Sequence, residues 1–179
     1  MRSALFFFLF LFSSLAHACA VNTQWVHKKL PHVNPEILHY ACTEAESVGV
    51  PVNTVLSIMY VESTFNPYAH SDSSYGIMQI HAAVHPKLRT EAFKKFHTWN
   101  LYDWRVNIWI GVRLLKRLRD KSPNMRIALQ KYNGTLKNFR YSDKVFAFEQ
   151  HANTYEPNRE IMFQTLNRIL QQSHFSIEG

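Results

Sequence analysis

Apolar residues recur at three- and four-residue spacing along most of this chain, the period of helices with one buried stripe. Residues 35–48 place Ile37, Leu38, Ala41 and Ala45 on one face. Asn34 is in position to cap that helix, Pro35 to open it and Gly49 to end it. Residues 51–63 form a second helix, with Val52, Val55, Leu56, Met59 and Tyr60 inward and Asn66-Pro67 stopping anything longer. Residues 64–75 read as loop, 76–83 as a turn with a brief helix, and 86–100 as holding one helix. The longest periodic run is 103–121, which turns Val106, Ile110, Leu114, Leu115 and Leu118 inward. Its C-terminal half carries Arg113, Lys116, Arg117, Arg119 and Lys121, cations that suit the negative end of a helix dipole and otherwise read as a solvated face. Shorter helices are predicted at 124–132, ending at Asn133-Gly134, and at 141–150. A terminal amphipathic helix at 157–172 uses Ile161, Met162, Leu166, Ile169 and Leu170. No run alternates as a half-buried strand does, so the predicted fold is mainly α.

The N-terminus differs in kind. Arg2 is followed by an apolar run from Ala4 to Leu15 and then by Ala16-His17-Ala18, a small-x-small cleavage pattern. This reads as a secretory signal peptide over residues 1–18, too short for a comfortable membrane span. An uncleaved anchor is the alternative. A lipidated Cys19 fits less well, because His17 occupies a position where a small residue is expected. The expected organisation is a leader at 1–18, an N-terminal segment at 19–34, one domain at 35–150 and a helical extension at 151–179. The destination is the periplasm or cell envelope. In an oxidising compartment, Cys19 and Cys42 become candidates for a disulfide if cleavage follows Ala18.

Composition narrows the class further. With 179 residues, 46% hydrophobic and 14% aromatic, the chain can bury one real core and is not disordered. Lys and Arg number 20 against 13 Asp and Glu, and the leader removes only Arg2. A basic exported protein attracts anionic polymers, whether nucleic acid, anionic lipid or cell wall. Export argues against nucleic acid, and no stripe of aromatics interleaved with cations appears. His81 and His85 have the i, i+4 spacing of a helical metal pair, but the Glu of the metalloprotease motif is missing and Pro86 follows at once. No metal and no cofactor are expected.

One acid stands out. Glu62 closes an apolar helix, where carbonyl ends disfavour a second negative charge and Tyr60, Phe65 and Met78 are near enough in sequence to withhold water. Both effects raise a carboxyl pKa, and a Glu that keeps its proton near neutrality can protonate a glycosidic oxygen.

Glu62-Ser63, Phe65, Pro67 and Gly76-Ile77-Met78-Gln79-Ile80 follow in order. After them come Asn107-Ile108 with Gly111, then Ala128-Leu129-Gln130-Lys131-Tyr132-Asn133-Gly134, then Tyr141 with Lys144-Val145. Four ordered blocks over residues 35–146 resemble the lytic transglycosylases, the soluble and goose-type-lysozyme-like enzymes that cut peptidoglycan strands. Ser73-Ser74-Tyr75 stands where the family often has Gly-Ala. That form is similar to the small members that accompany conjugation, pilus and type IV secretion machines.

The resemblance implies a lysozyme-like helical domain with a substrate cleft. It implies Glu62 as general acid and then base, closing a 1,6-anhydro-muramic ring at the MurNAc–GlcNAc bond. A second carboxylate is usual in glycosidases. Asp72 is the nearest candidate and reads as a turn residue, which leaves the substrate's own N-acetyl group to stabilise the sugar cation. The implied contacts are Gly76 as a close approach to sugar, Met78 and Gln79 lining the cleft, and Ser71, Ser73 or Ser74 holding the N-acetyl group. Tyr132 would stack on a sugar face, Asn133 would bond hydroxyls and Tyr141 would hold the Glu62 carboxyl. A hydrolytic lysozyme and a non-catalytic wall-binding scaffold are the rival classes.

Overall fold

The computed structural model describes residues 26–83 and 86–154, together with Thr23. The leader, Cys19 and the terminal helix expected at 157–172 lie outside the described residues, and so does the proposed Cys19–Cys42 pairing. Cys42 itself is buried.

Helices dominate. The order is α1 (Pro35–Ser47), α2 (Val52–Ser63), β1 (His70–Ser71), β2 (Ser74–Tyr75), β3 (Ile80–His81), α3 (Pro86–Phe96), α4 (Trp104–Asp120), α5 (Met125–Tyr132) and α6 (Arg140–Thr154). The capping chemistry is local and legible. Asn34 accepts from the Glu36 N–H, Asp103 from the Arg105 N–H and Asn124 from the Ile127 N–H, each satisfying an amide that the first turn leaves without a helical partner.

Helix α2 is the centre of the fold. Six consecutive residues, Thr54 to Met59, are buried, which makes it a core helix rather than a surface one. It packs against α1 and α6, and α4 packs against α1, α3 and α5. The Thr54 hydroxyl donates to Glu149 Oε1 at 3.0 Å, tying α2 to α6.

Two expectations change. The stretch 70–81 is a three-stranded antiparallel sheet of two-residue strands, in the order β1-β2-β3, with His70 opposite Tyr75 and Ser74 opposite His81. Strands this short give no alternation to detect. The basic face of α4 is also less solvated than expected. Arg113 binds Glu44 of α1 at 2.6 Å and stacks over Trp109, and Arg117 binds Glu91 of α3 at 2.9 Å. Lys116 pairs with Asp120, and Arg119 donates to the Gly49 carbonyl. The three arginines join α4 to its neighbours, whereas the Lys116 pair lies within the helix.

Candidate active site

Glu62 occupies the last turn of α2. Beyond it the chain reverses through two non-glycine residues in left-handed conformation, Thr64 (φ 52°) and Phe65 (φ 62°). Their amides donate back to the helix, Thr64 to Tyr60 O at 2.9 Å and Phe65 to Met59 O at 3.2 Å. Left-handed non-glycine backbone costs about 1–3 kcal/mol per residue. Burial of the Phe65 ring, edge-on to Tyr60, offsets that cost.

The Glu62 carboxyl is partly withdrawn from water, and that loss of solvation pushes its pKa up. The Tyr141 hydroxyl, carried by α6, donates to Glu62 Oε1 at 2.6 Å and works in the opposite direction, favouring the ionised form. Burial raises the phenols of Tyr132 and Tyr141 well above the usual tyrosine range, and the charge of Glu62 pushes both the same way. Both tyrosines therefore stay protonated and can donate.

Beside this acid runs the loop 75–79, whose backbone is held by side chains from three other parts of the chain. Asn107 of α4 is fully buried. Its Oδ1 accepts from Met78 N–H at 2.8 Å, and its Nδ2 donates to Tyr75 O at 2.7 Å and Leu101 O at 2.8 Å. Ser63, next to the acid, places its hydroxyl 2.7 Å from Ile77 O and 3.1 Å from Met59 O, one proton shared between loop and helix. The Tyr132 hydroxyl donates to Met78 O at 2.9 Å. Gln79, itself left-handed at φ 48°, donates its side-chain amide to Gly76 O at 2.9 Å and accepts from Ser71 Oγ at 2.8 Å.

Several expected contacts take another form. A Cβ at Gly76 would collide with Leu101 O and the Asn107 amide, so the packing of Asn107 against it by itself requires a glycine. Met78 is fully buried, and a Cβ at Gly111 would strike its sulfur. Met78 therefore supports the loop from below and does not line an open surface. Tyr132 turns its hydroxyl inward onto the loop. Gln79 and Ser71 bond each other, Ser71 from the exposed strand β1. Ser73 and Asn133 are exposed at the margins, Ser73 in the β1–β2 turn and Asn133 as the cap of α5. Asp72 is exposed in the same turn with φ 45°.

Glu62, Tyr141, Tyr132, Met78, Gln79 and Ser71 thus form one connected group. Asn107, Gly111 and Ser63 hold that group together without having been singled out for it. Their only sequence signal is membership of the ordered blocks, where Asn107 and Gly111 sit one helical turn apart. Among the described residues, no group of three or more His, Cys, Asp or Glu side chains converges to hold a metal. The His81 ring nitrogen accepts from Ala83 N–H, and His85 lies outside the described residues.

The arrangement provides a carboxyl whose pKa burial raises, one oxygen of which is fixed by Tyr141, beside a loop secured by long-range hydrogen bonds. A family model described as the transglycosylase SLT domain matches residues 39–153. No curated protein and no solved structure matches the chain.

Proposed function

The chain belongs to the transglycosylase SLT domain family, the peptidoglycan lytic transglycosylases, and from that premise we propose that Glu62 is the acid with which it cleaves the β-1,4 bond between MurNAc and GlcNAc. The observation carrying this reading is the 2.6 Å Tyr141–Glu62 bond on a carboxyl whose pKa burial has raised. Tyr141 donates to Oε1, so a proton held by this carboxyl sits on Oε2, where a glycosidic oxygen can take it.

Protonation of that oxygen releases the GlcNAc side as an alcohol while the C1–O bond breaks. The substrate's N-acetyl oxygen bonds to C1 and carries the positive charge, as in substrate-assisted glycosidases. The C6 hydroxyl then attacks C1, the N-acetyl oxygen leaves, and the C6 proton passes to the Glu62 carboxylate. The product is a 1,6-anhydro-muramic end, no water is consumed, and Glu62 returns protonated. Asp72, exposed in its turn, supports this one-carboxylate scheme by standing apart as a backbone-shaping residue. Gln79, Ser71, Asn133 and Ser73 supply polar groups along the loop and its margins for sugar hydroxyls and acetamides.

A cell-wall substrate puts the work in the envelope. The leader at residues 1–18 supports export, and Ser73-Ser74-Tyr75 before Gly76 supports a role in local wall opening for a secretion or conjugation machine.

Mass spectrometry of the fragments released from purified peptidoglycan tests the chemistry. The mature protein should release muropeptides lighter by one water than hydrolytic products, and Glu62→Gln should release fewer by a factor of about 100 or more. Reducing-end products would make the enzyme a lysozyme. Wall binding without release would make it a scaffold.

A further inference from the structure

Away from Glu62, α3 and the segment after it enclose a cavity of about 410 Å³ lined by Pro86, Arg89, Thr90, Phe93 and Trp99. The Arg89 guanidinium lies 3.6 Å above the Trp99 ring. Stacking at that distance fixes the guanidinium plane and leaves its N–H edges directed sideways, where they can meet a carboxylate in the same plane. Among the described residues, no acid lines the cavity. Glu91, the one acid of α3, is held by Arg117 of α4 at 2.9 and 3.1 Å and does not answer Arg89. The Thr90 hydroxyl is engaged by Pro86 O. Phe93, 55% exposed, adds an apolar wall.

Trp99 also lines a second cavity with Tyr75, Leu101 and Tyr102, and Tyr75 immediately precedes the loop that Asn107 secures. The cation is therefore joined to the loop through one continuous aromatic surface. In a peptide-bearing strand the lactyl carboxyl of muramic acid is consumed in the amide to the first alanine, so the glycan itself has no negative charge to offer it. The short peptides borne by muramic acid do, since they end in carboxylates and are otherwise aliphatic. An extended tripeptide spans about 10 Å, enough to leave the glycan and reach a neighbouring cavity.

We propose that the Arg89–Trp99 cavity binds a carboxylate of the peptidoglycan stem peptide, so that the enzyme selects strands that still carry their peptides. This rests on reading the chain as a peptidoglycan lyase. Kinetics on intact peptidoglycan and on strands stripped of peptide by an amidase should separate the two. Arg89→Ala should lose roughly tenfold in kcat/KM on intact material, the lower end of the value of a charged hydrogen bond, and nothing on stripped strands, whose freed lactyl carboxylates lie on the sugar itself and not a peptide's length away. Arg89→Lys should not restore the loss, because an ammonium does not stack as a planar fork. An unchanged thermal midpoint establishes that the variants fold. Equal losses on both substrates, or none on either, overturn the proposal. Calorimetric titration with the free stem tripeptide L-Ala–γ-D-Glu–diaminopimelate gives a readout independent of turnover. Binding weakened roughly tenfold by Arg89→Ala supports the cavity even if neither substrate is cleaved, a result that would sink the lyase reading alone. No binding by the wild type overturns the cavity even if both substrates are cleaved.

Discussion

Two stretches flank the tyrosines that surround Glu62, and they are built differently. Residues 75–79 are secured by Asn107, Tyr132 and Ser63, side chains distant in sequence. Residues 133–139, which connect Tyr132 to the helix of Tyr141, are held by near neighbours. Gly134 N–H donates to Lys131 O, Thr135 N–H to Gln130 O and Lys137 N–H to the Thr135 hydroxyl. Leu136 is 58% exposed and Phe139 41%. Local bonds and exposure mark the part of a fold that opens at low cost, and long-range buried bonds mark the part that does not. One side of the site is thus secured by long-range buried bonds, and the other by local ones at the surface.

The contrast breaks first at Asn107. Asn107→Leu keeps the approximate volume but leaves Met78 N–H, Tyr75 O and Leu101 O without partners. Chemical denaturation should report a loss of about 3 kcal/mol or more. Turnover per folded molecule should fall as well. Full turnover by the folded fraction would mean that the acid does not need its loop held.

A smaller effect, with a definite sign, is expected at Tyr141. Its hydrogen bond favours ionised Glu62, so Tyr141→Phe should lift the carboxyl pKa further. The acid form then survives to higher pH, and the alkaline limb of kcat/KM should move upward together with a loss of roughly tenfold at the plateau. A limb that moves down in a pH–rate profile would mean that the Tyr141 hydroxyl raises the carboxyl pKa, by keeping water from Glu62, rather than lowering it. Least is expected of Leu136→Ser, within about 0.5 kcal/mol by thermal melting and with kcat unchanged. A large loss there would erase the difference between the two stretches.

The fold was legible wherever a helix announces itself by period and cap. Asn34, Asp103 and Asn124 stand at three helix starts, and each does cap its helix. Glu62 stood out as a lone Glu closing a run as apolar as α2, and the ordered blocks around it made it the candidate acid. The sheet was not legible, since two-residue strands fall below any period. Nor was the true use of Gly76 and Met78. Their contacts depend on Asn107 and Gly111, thirty residues away on a helix, where one polar and one small residue look unremarkable. Spacing along a chain reports which face a residue takes, and it does not report which loop that face will meet.

The Tyr141–Glu62 bond joins residues 79 apart in sequence and links α2 to α6. Contacts between such distant parts of a chain form late in folding, after the loop between them has been closed at an entropic cost. Until α6 docks, Glu62 lacks the hydroxyl that fixes its Oε1. On the role proposed for Glu62, an unfinished or unravelled chain therefore lacks the arrangement that would make it lytic.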